Sequence, residues 1–272
     1  MTARGHLRIP SGRAALAVDV VGVGHPVVFL HAGVADRRMW HAQLTAVGAR
    51  HRTIAYDRRG FGDTRARQED FSAVADLMAV IDATTNGMPT VLVGCSEGGR
   101  IALDAALLHP AAIRGLVLVS PSVSGAPLPD YPPAIGHLMA RLAHARDTGA
   151  LDDIIALRTR LFLDGPLASE PRVLGKPRAL FAEMNTAAHR LGPTGSNLDV
   201  AAAFDRLSEL AMPVHVMWGD LDLPNVQARS RYVAAAVAHG SHATLTGAAH
   251  LPSLERPADI TQRLLEFIAA LR

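Results

Sequence analysis

Ser96 stands in Gly94-Cys95-Ser96-Glu97-Gly98-Gly99, a G-x-S-x-G pattern between a β-rich run at residues 90–94 and a helix-prone run at 100–109. A serine on so sharp a strand-to-helix turn must take a strained backbone conformation that pushes its hydroxyl out at the sheet edge. Gly94 and Gly98 lack the Cβ that would obstruct the crossing, and the following helix aims free N–H groups and a positive dipole end at the site. A hydroxyl is a poor nucleophile near neutral pH, so it needs a positioned base, and the base needs a carboxylate to fix its tautomer. Both follow in order. Trp218-Gly219-Asp220-Leu221-Asp222 ends a strand pattern, and His250 lies in Gly247-Ala248-Ala249-His250-Leu251-Pro252 after a β segment at 243–246. Serine, then aspartate, then histidine is the order that accompanies this elbow, and the chemistry it suits is acyl transfer. The bland alternative is a glycine-rich turn with an incidental serine.

The surrounding pattern must hold these groups at one edge of a sheet. Two β-rich segments from 14 to 30 flank Gly22-Val23-Gly24-His25-Pro26, turn composition that predicts an opening antiparallel hairpin. Short runs rich in β-branched residues at 53–56, 90–94, 113–119 and 214–218 read as buried strands. Between them, Val74, Leu77, Met78 and Ile81 share one helical face, and Ile260, Leu264, Phe267, Ile268 and Leu271 repeat that spacing after Pro257. Strand–helix alternation over this length predicts an α/β fold with a mostly parallel sheet flanked by helices. The alternation stops after Ser120, where blocks at 135–145, 151–163 and 179–190 are helix-prone, and it resumes at Pro213. The expected organisation is therefore a core of residues 1–121 and 199–272, with a helical cap insertion at 122–198 over the carboxyl edge.

On these motifs the sequence resembles the α/β-hydrolase fold superfamily, specifically its cofactor-free capped members, which include esterases, lactonases and carbon–carbon hydrolases. The resemblance spans essentially the whole chain. His31-Ala32-Gly33 is similar to the family's His-Gly-X oxyanion loop, with Ala32 in place of the first glycine. By position it implies that the backbone N–H groups of Gly33 and Glu97 form the oxyanion hole, with Val34 a neighbour. Asp57-Arg58-Arg59-Gly60-Phe61-Gly62-Asp63-Thr64 is similar to a turn that is mainly structural in the family. The family's usual acid lies three residues after the glycine, which selects Asp222 over Asp220. The resemblance thus implies a catalytic set of Ser96, Asp222 and His250 acting on an ester or lactone of a small organic molecule. Hydrolysis of a carbon–carbon bond in a diketone is the enzymatic alternative, and a ligand-binding protein without turnover is the other. Val34, Met139, Leu142, Phe162 and Leu251 are the candidates for the substrate pocket. An epoxide hydrolase or dehalogenase of this fold carries an elbow aspartate, which Ser96 replaces.

Composition narrows the rest. Of 272 residues, 49% are hydrophobic and 19% charged, which excludes a chain disordered throughout. Twenty-seven basic against 25 acidic residues leave a formal charge of +2, too little to argue for a nucleic-acid partner. The arginines from 50 to 67 are interleaved with acids and read as a solvated face. The single cysteine, Cys95, excludes a disulfide scaffold and is expected to be small, buried and turned away from the serine. No apolar run is long enough for a transmembrane helix, and Asp19 interrupts the signal-like N-terminal pattern, so a cytoplasmic protein with no membrane partner is expected. Thirteen histidines form no metal-spaced helical pair, and no metal or cofactor is called for. A monomer or homodimer is the expected state. Glu97 has two readings: a carboxylate stabilised at a helix N-terminus, or a pocket-facing charge balanced by a cap arginine such as Arg141 or Arg158.

Overall fold

The computed structural model describes residues 4–271. In chain order it contains β1 (Arg4–Ser11), β2 (Ala14–Val21), β3 (Pro26–Leu30), α1 (His41–Val47), β4 (Arg52–Tyr56), β5 (Arg65–Ala66), α2 (Ala73–Thr84), β6 (Thr90–Cys95), α3 (Glu97–Leu108) and β7 (Ile113–Val119). A helical stretch follows: α4 (Pro133–Thr148), α5 (Leu151–Arg158), a π-helical segment (Thr159–Asp164) and α6 (Lys176–Arg190). The alternation then resumes with β8 (Val214–Gly219), α7 (Pro224–Ala236), β9 (Gly240–Leu245), α8 (Pro252–Glu255) and α9 (Pro257–Ala270). The sheet runs β1-β2-β4-β3-β6-β7-β8-β9, with β5 on β2, and every pair from β4 onward in that order is parallel.

The expected hairpin across residues 22–26 does not form. The opening hairpin is β1–β2, closed with Ser11 opposite Ala14 and Gly12 at φ +50° in the turn. β2 instead pairs antiparallel with β4, and β3 lies on the far side of β4. The turn does reverse the chain direction, but a strand that arrives later in sequence occupies the gap between its arms.

Alternation of side chains along the strands feeds two cores. Val28, Leu30, Ile54, Tyr56, Leu92, Leu116 and Leu118 face a cluster completed by Leu77 and Ile81 of α2, Ile101 of α3 and Val233 of α7. Val27, Phe29, Ala55, Val91, Val93, Val117 and Val119 face the other, closed by Leu44 and Val47 of α1 and Ile260, Leu264 and Ile268 of α9. Both faces of the sheet are therefore covered, and each fully buried Val or Leu contributes ~1.5–3 kcal/mol. Ser72 caps α2 by accepting the Ala75 N–H at 2.9 Å. No helix among the described residues is long and apolar enough to cross a membrane.

Residues 122–198 add no strand to this sheet, apart from an isolated bridge between Phe71 and Asn197. α4, α5 and the π-helical segment pack through Ile135, Leu142, Ala145, Ile154, Leu157 and Leu161. The segment reaches the sheet's loops at defined points: Asn185 Nδ2 donates to the Val34 carbonyl at 2.9 Å, and the Phe162 and His250 ring centres are 5.3 Å apart.

Candidate active site

The strand-to-helix turn imposes the strain that the motif predicts. Ser96 has φ +52° and ψ −114°, a conformation that costs ~1–3 kcal/mol for a residue with a Cβ. It is pinned from β7 and beyond: its N–H donates to the Val119 carbonyl at 2.9 Å, and its own carbonyl accepts from Ser122 at 3.0 Å and Arg100 at 3.1 Å. Gly98 explains how helix and strands approach so closely. A Cβ there would stand 2.3 Å from the Leu30 carbonyl oxygen, which is backbone and has nowhere to go.

The acid and the histidine come from two loops that are stitched together. Leu221 N–H donates to the Ala248 carbonyl at 2.9 Å, and a Cβ on Gly219 would meet that same oxygen at 2.1 Å. Only glycine lets the loop carrying His250 pass over the end of β8. His250 Nδ1 then lies 2.8 Å and 3.0 Å from the two Asp222 oxygens, with both residues buried. Asp222 Oδ1 also accepts the Leu223 N–H at 2.7 Å, which fixes its plane. Asp220 points elsewhere, accepting the Gly247 N–H at 2.7 Å in an exposed position. Cys95, fully buried beside the elbow, donates its thiol to the His250 carbonyl at 3.7 Å, and burial pushes that thiol well above the usual range.

A residue that motif reading passes over holds the histidine loop in place. Glu255 in α8 accepts the Ala249 N–H at 2.8 Å through Oε2 and the Leu251 N–H at 3.0 Å through Oε1, gripping the backbone on either side of His250. Arg172, from the segment after the π-helix, pairs with Glu255 and donates to the carbonyls of Gly247 (2.9 Å), Leu163 (2.6 Å) and Asp164 (2.9 Å). Burial raises the Glu255 carboxyl above its usual range despite these donors. The only sequence signal is a carboxylate in the short Pro-led helix that follows the histidine.

The loop after β3 faces the elbow. The Cβ position of Gly33 lies 3.7 Å from Glu97 Cβ, and Glu97, as the first residue of α3, has an N–H with no acceptor within its helix. His31 ties this loop to the Asp57–Arg58 turn. Its Nε2 accepts the Arg58 N–H at 3.0 Å, so its Nδ1 carries the proton and donates to the Ala32 carbonyl at 2.8 Å. Burial, reinforced by the Arg58 charge, holds His31 well below the usual histidine range, so the ring is a neutral brace.

Glu97 lines a small cavity of about 50 Å³ together with Tyr56, Arg58, Arg59, Asp76, Arg100 and Asn197, among others. Its Oε1 pairs with Arg100 at 2.6 Å, so the cation beside it comes from its own helix and not from Arg141 or Arg158. Burial would raise its carboxyl, but the Arg100 hydrogen bond and the charges of Arg100 and Arg58 prevail and hold it below the usual range. The solvated-face reading of the nearby arginines also fails in part. Arg59 is 5% exposed and bonded to Asp76, within α2, at 2.8 Å and to Glu69, ahead of it, at 2.6 Å. Arg58 stacks on Phe61 with its guanidinium carbon 4.8 Å from the ring centre.

The five pocket candidates separate into two groups. Val34, Phe162 and Leu251 belong to the cluster that includes Phe181 and Met184 of α6. Leu142, 1% exposed, and Met139 belong to the α4–α5 cluster, which meets the first through Phe162. Among the described residues no group of three or more His, Cys, Asp or Glu side chains is placed to hold a metal ion.

A model of the alpha/beta hydrolase family matches residues 27–263. Mycobacterium tuberculosis BpoC, which carries a non-heme bromoperoxidase designation, is 28% identical over 94% of this chain and 98% of its own. Carboxylesterase YbfK of Bacillus subtilis is 25% identical over 89% of this chain and 79% of its own. Among solved structures, Est816, described as an N-acyl homoserine lactone degrading enzyme, has a TM-score of 0.75 at 23% identity, covering 97% of this chain and 100% of that one. The family match runs from β3 into α9 and so takes in the elbow, the acid loop and the histidine loop alike: the chain belongs to the alpha/beta hydrolase family and is an enzyme of it.

Proposed function

We propose that the protein is a serine hydrolase that cleaves a carboxylic ester or lactone of a small organic substrate. His250 takes the Ser96 proton as the serine oxygen attacks the carbonyl, and it returns that proton to the departing alkoxide, leaving an acyl-enzyme. Water attacks the acyl group by the same route, giving up a proton to His250 and releasing the acid as Ser96 regains its hydrogen. Asp222 holds the imidazole and stabilises its charged form, while the Gly33 and Glu97 N–H groups receive the oxyanion. Loss of one such donor typically lowers turnover ~10²–10³-fold. In this reading α4 to α6 act as a cap, with Val34, Phe162 and Leu251 against the substrate. The observation that carries the proposal is the strained Ser96 at φ +52°, together with a buried His250–Asp222 pair at 2.8 Å. The carboxylesterase and lactone-degrading relatives support the ester and lactone class.

The test is covalent capture. A phosphonate ester reagent should add to the Ser96 peptide in intact protein, as read by mass spectrometry, and Ser96→Ala should abolish both the adduct and hydrolysis of short-chain 4-nitrophenyl esters while leaving the melting temperature in place. Ester turnover that persists in Ser96→Ala would sink the proposal.

A further inference from the structure

Arg158 is a cation without an anion. It closes α5, and its Nη1 donates to Asn185 Oδ1 at 2.8 Å, while its Nε is buried with no partner. No carboxylate among the described residues forms an ion pair with it, and the charge that acts on it is the like charge of Arg146. Burial drives its ionisation down to about 10, the mark of a guanidinium removed from water without compensation. Three other part-buried arginines near it are answered, Arg172 by Glu255, Arg178 by Asp164 and Arg38 by Asp36 and Glu183, whereas the side chains of Arg58 and Arg229 form no ion pair among the described residues but lack the link to the loop after β3 that Asn185 gives Arg158.

The position of Arg158 is bracketed from two sides. Phe162, which shares its helical face one turn later, has its ring 5.3 Å from that of His250. Asn185 joins the guanidinium to the oxyanion loop, because its Nδ2 protons go to the carbonyls of Val34 (2.9 Å) and Phe181 (2.8 Å). The amide is thereby saturated, and its oxygen orients Arg158 without neutralising it. The guanidinium thus lies one hydrogen-bonded residue from the Val34 carbonyl and four residues before the Phe162 that packs on His250, with its Nε unpartnered.

We infer that Arg158 is a specificity-determining residue that receives a carboxylate of the substrate, so that the preferred esters are hemi-esters of dicarboxylic acids or lactones bearing an acid group. A planar fork with one uncompensated charge matches a monoanionic carboxylate, whereas a phosphate dianion would bring two charges to one cation. The inference rests on the serine-hydrolase reading for the place of the reacting carbonyl.

The experiment compares 4-nitrophenyl hydrogen glutarate with 4-nitrophenyl valerate, esters of the same chain length with and without the charge. Arg158→Met should lower kcat/KM for the glutarate ~10–100-fold, the range for a charged hydrogen bond, and leave the valerate within about threefold. Arg158→Lys should recover part of the loss. In parallel, calorimetry with Ser96→Ala protein should show glutarate binding that disappears in the Ser96→Ala, Arg158→Met double variant. This second arm needs no turnover, so persistent hydrolysis by Ser96→Ala overturns the catalytic reading while the binding result still decides Arg158. If Arg158→Met does not fold, inhibition of the wild type decides: glutarate should compete with the valerate ester at least tenfold better than the uncharged glutaramide. Equal losses for both esters, equal glutarate binding, or equal inhibition by acid and amide overturns the inference.

Discussion

Glu255→Gln separates holding the proposed base, His250, from holding the fold. The wild-type carboxylate offers one oxygen to each N–H flanking His250, at 2.8 Å and 3.0 Å. Glutamine has a single acceptor oxygen, so one of those N–H groups must face an NH₂ and lose its bond, at ~1–3 kcal/mol for a buried donor. The charge works in the opposite direction. Burial raises the Glu255 carboxyl above its unfolded value, so its contribution to stability is present at low pH and is lost as pH rises through the folded value. At neutral pH the substitution therefore removes a charging penalty as it creates an orphan donor, and the melting temperature should move by less than ~5 °C, since ~2–4 °C corresponds to 1 kcal/mol in a domain approaching this size. Nothing offsets the effect on His250, whose loop keeps one anchor of two. A displacement of ~1 Å lowers turnover up to ~10²-fold, so kcat should fall ~10–100-fold with KM within about threefold. Steady-state kinetics and calorimetric melting on the same preparation measure both. A variant with kcat within twofold of wild type, or one whose activity loss merely follows its unfolded fraction, refutes the positioning role.

The two acids of the β8 loop should differ sharply. Asp222→Asn, which gives the histidine a partner of the wrong tautomeric preference, should lower kcat about 10³–10⁴-fold. Asp220→Asn keeps an acceptor for the Gly247 N–H and should stay within about threefold; the reverse ranking assigns the carboxylates wrongly. Glu97, held below the usual carboxylate range chiefly by Arg100 against the effect of burial, should contribute stability above its ordinary value of 4.5 that is lost as pH falls through the depressed folded value. Melting curves below that pH should accordingly decline more steeply for wild type than for Glu97→Gln, and superimposable acid limbs refute the pairing.

What the sequence reveals divides by range of interaction. The run from β6 through the elbow into α3 is legible because strand period, glycine spacing and helix period are all local, and β7 is read at its observed bounds of Ile113–Val119. β9 spans Gly240–Leu245 and not 243–246, because its first residues are exposed and carry no apolar signal. The β2–β4 pairing is illegible for a different reason: nothing near residues 22–26 records that a later strand will insert there. Ser96, Asp222 and His250 stand out as candidates through motif and order. Glu255 and Asn185 do not, since each gains its meaning from a partner distant in sequence, 83 residues for Glu255 with Arg172 and 151 for Asn185 with Val34, and Arg158 is legible only as a candidate partner for Glu97, which the fold does not make it. A buried arginine such as Arg59 is likewise indistinguishable from an exposed one until Asp76 folds onto it.

Arg172 gives the molecule an interlock. One guanidinium is bonded at once to two carbonyls at the end of the π-helical segment, to Gly247 and to Glu255. Lifting that segment away from the sheet therefore breaks the Arg172–Glu255 pair and the bond to the Gly247 carbonyl in the same motion. The end of the helical segment and the loop that carries His250 are thus fastened by one side chain, so a substitution at Arg172 loosens both together.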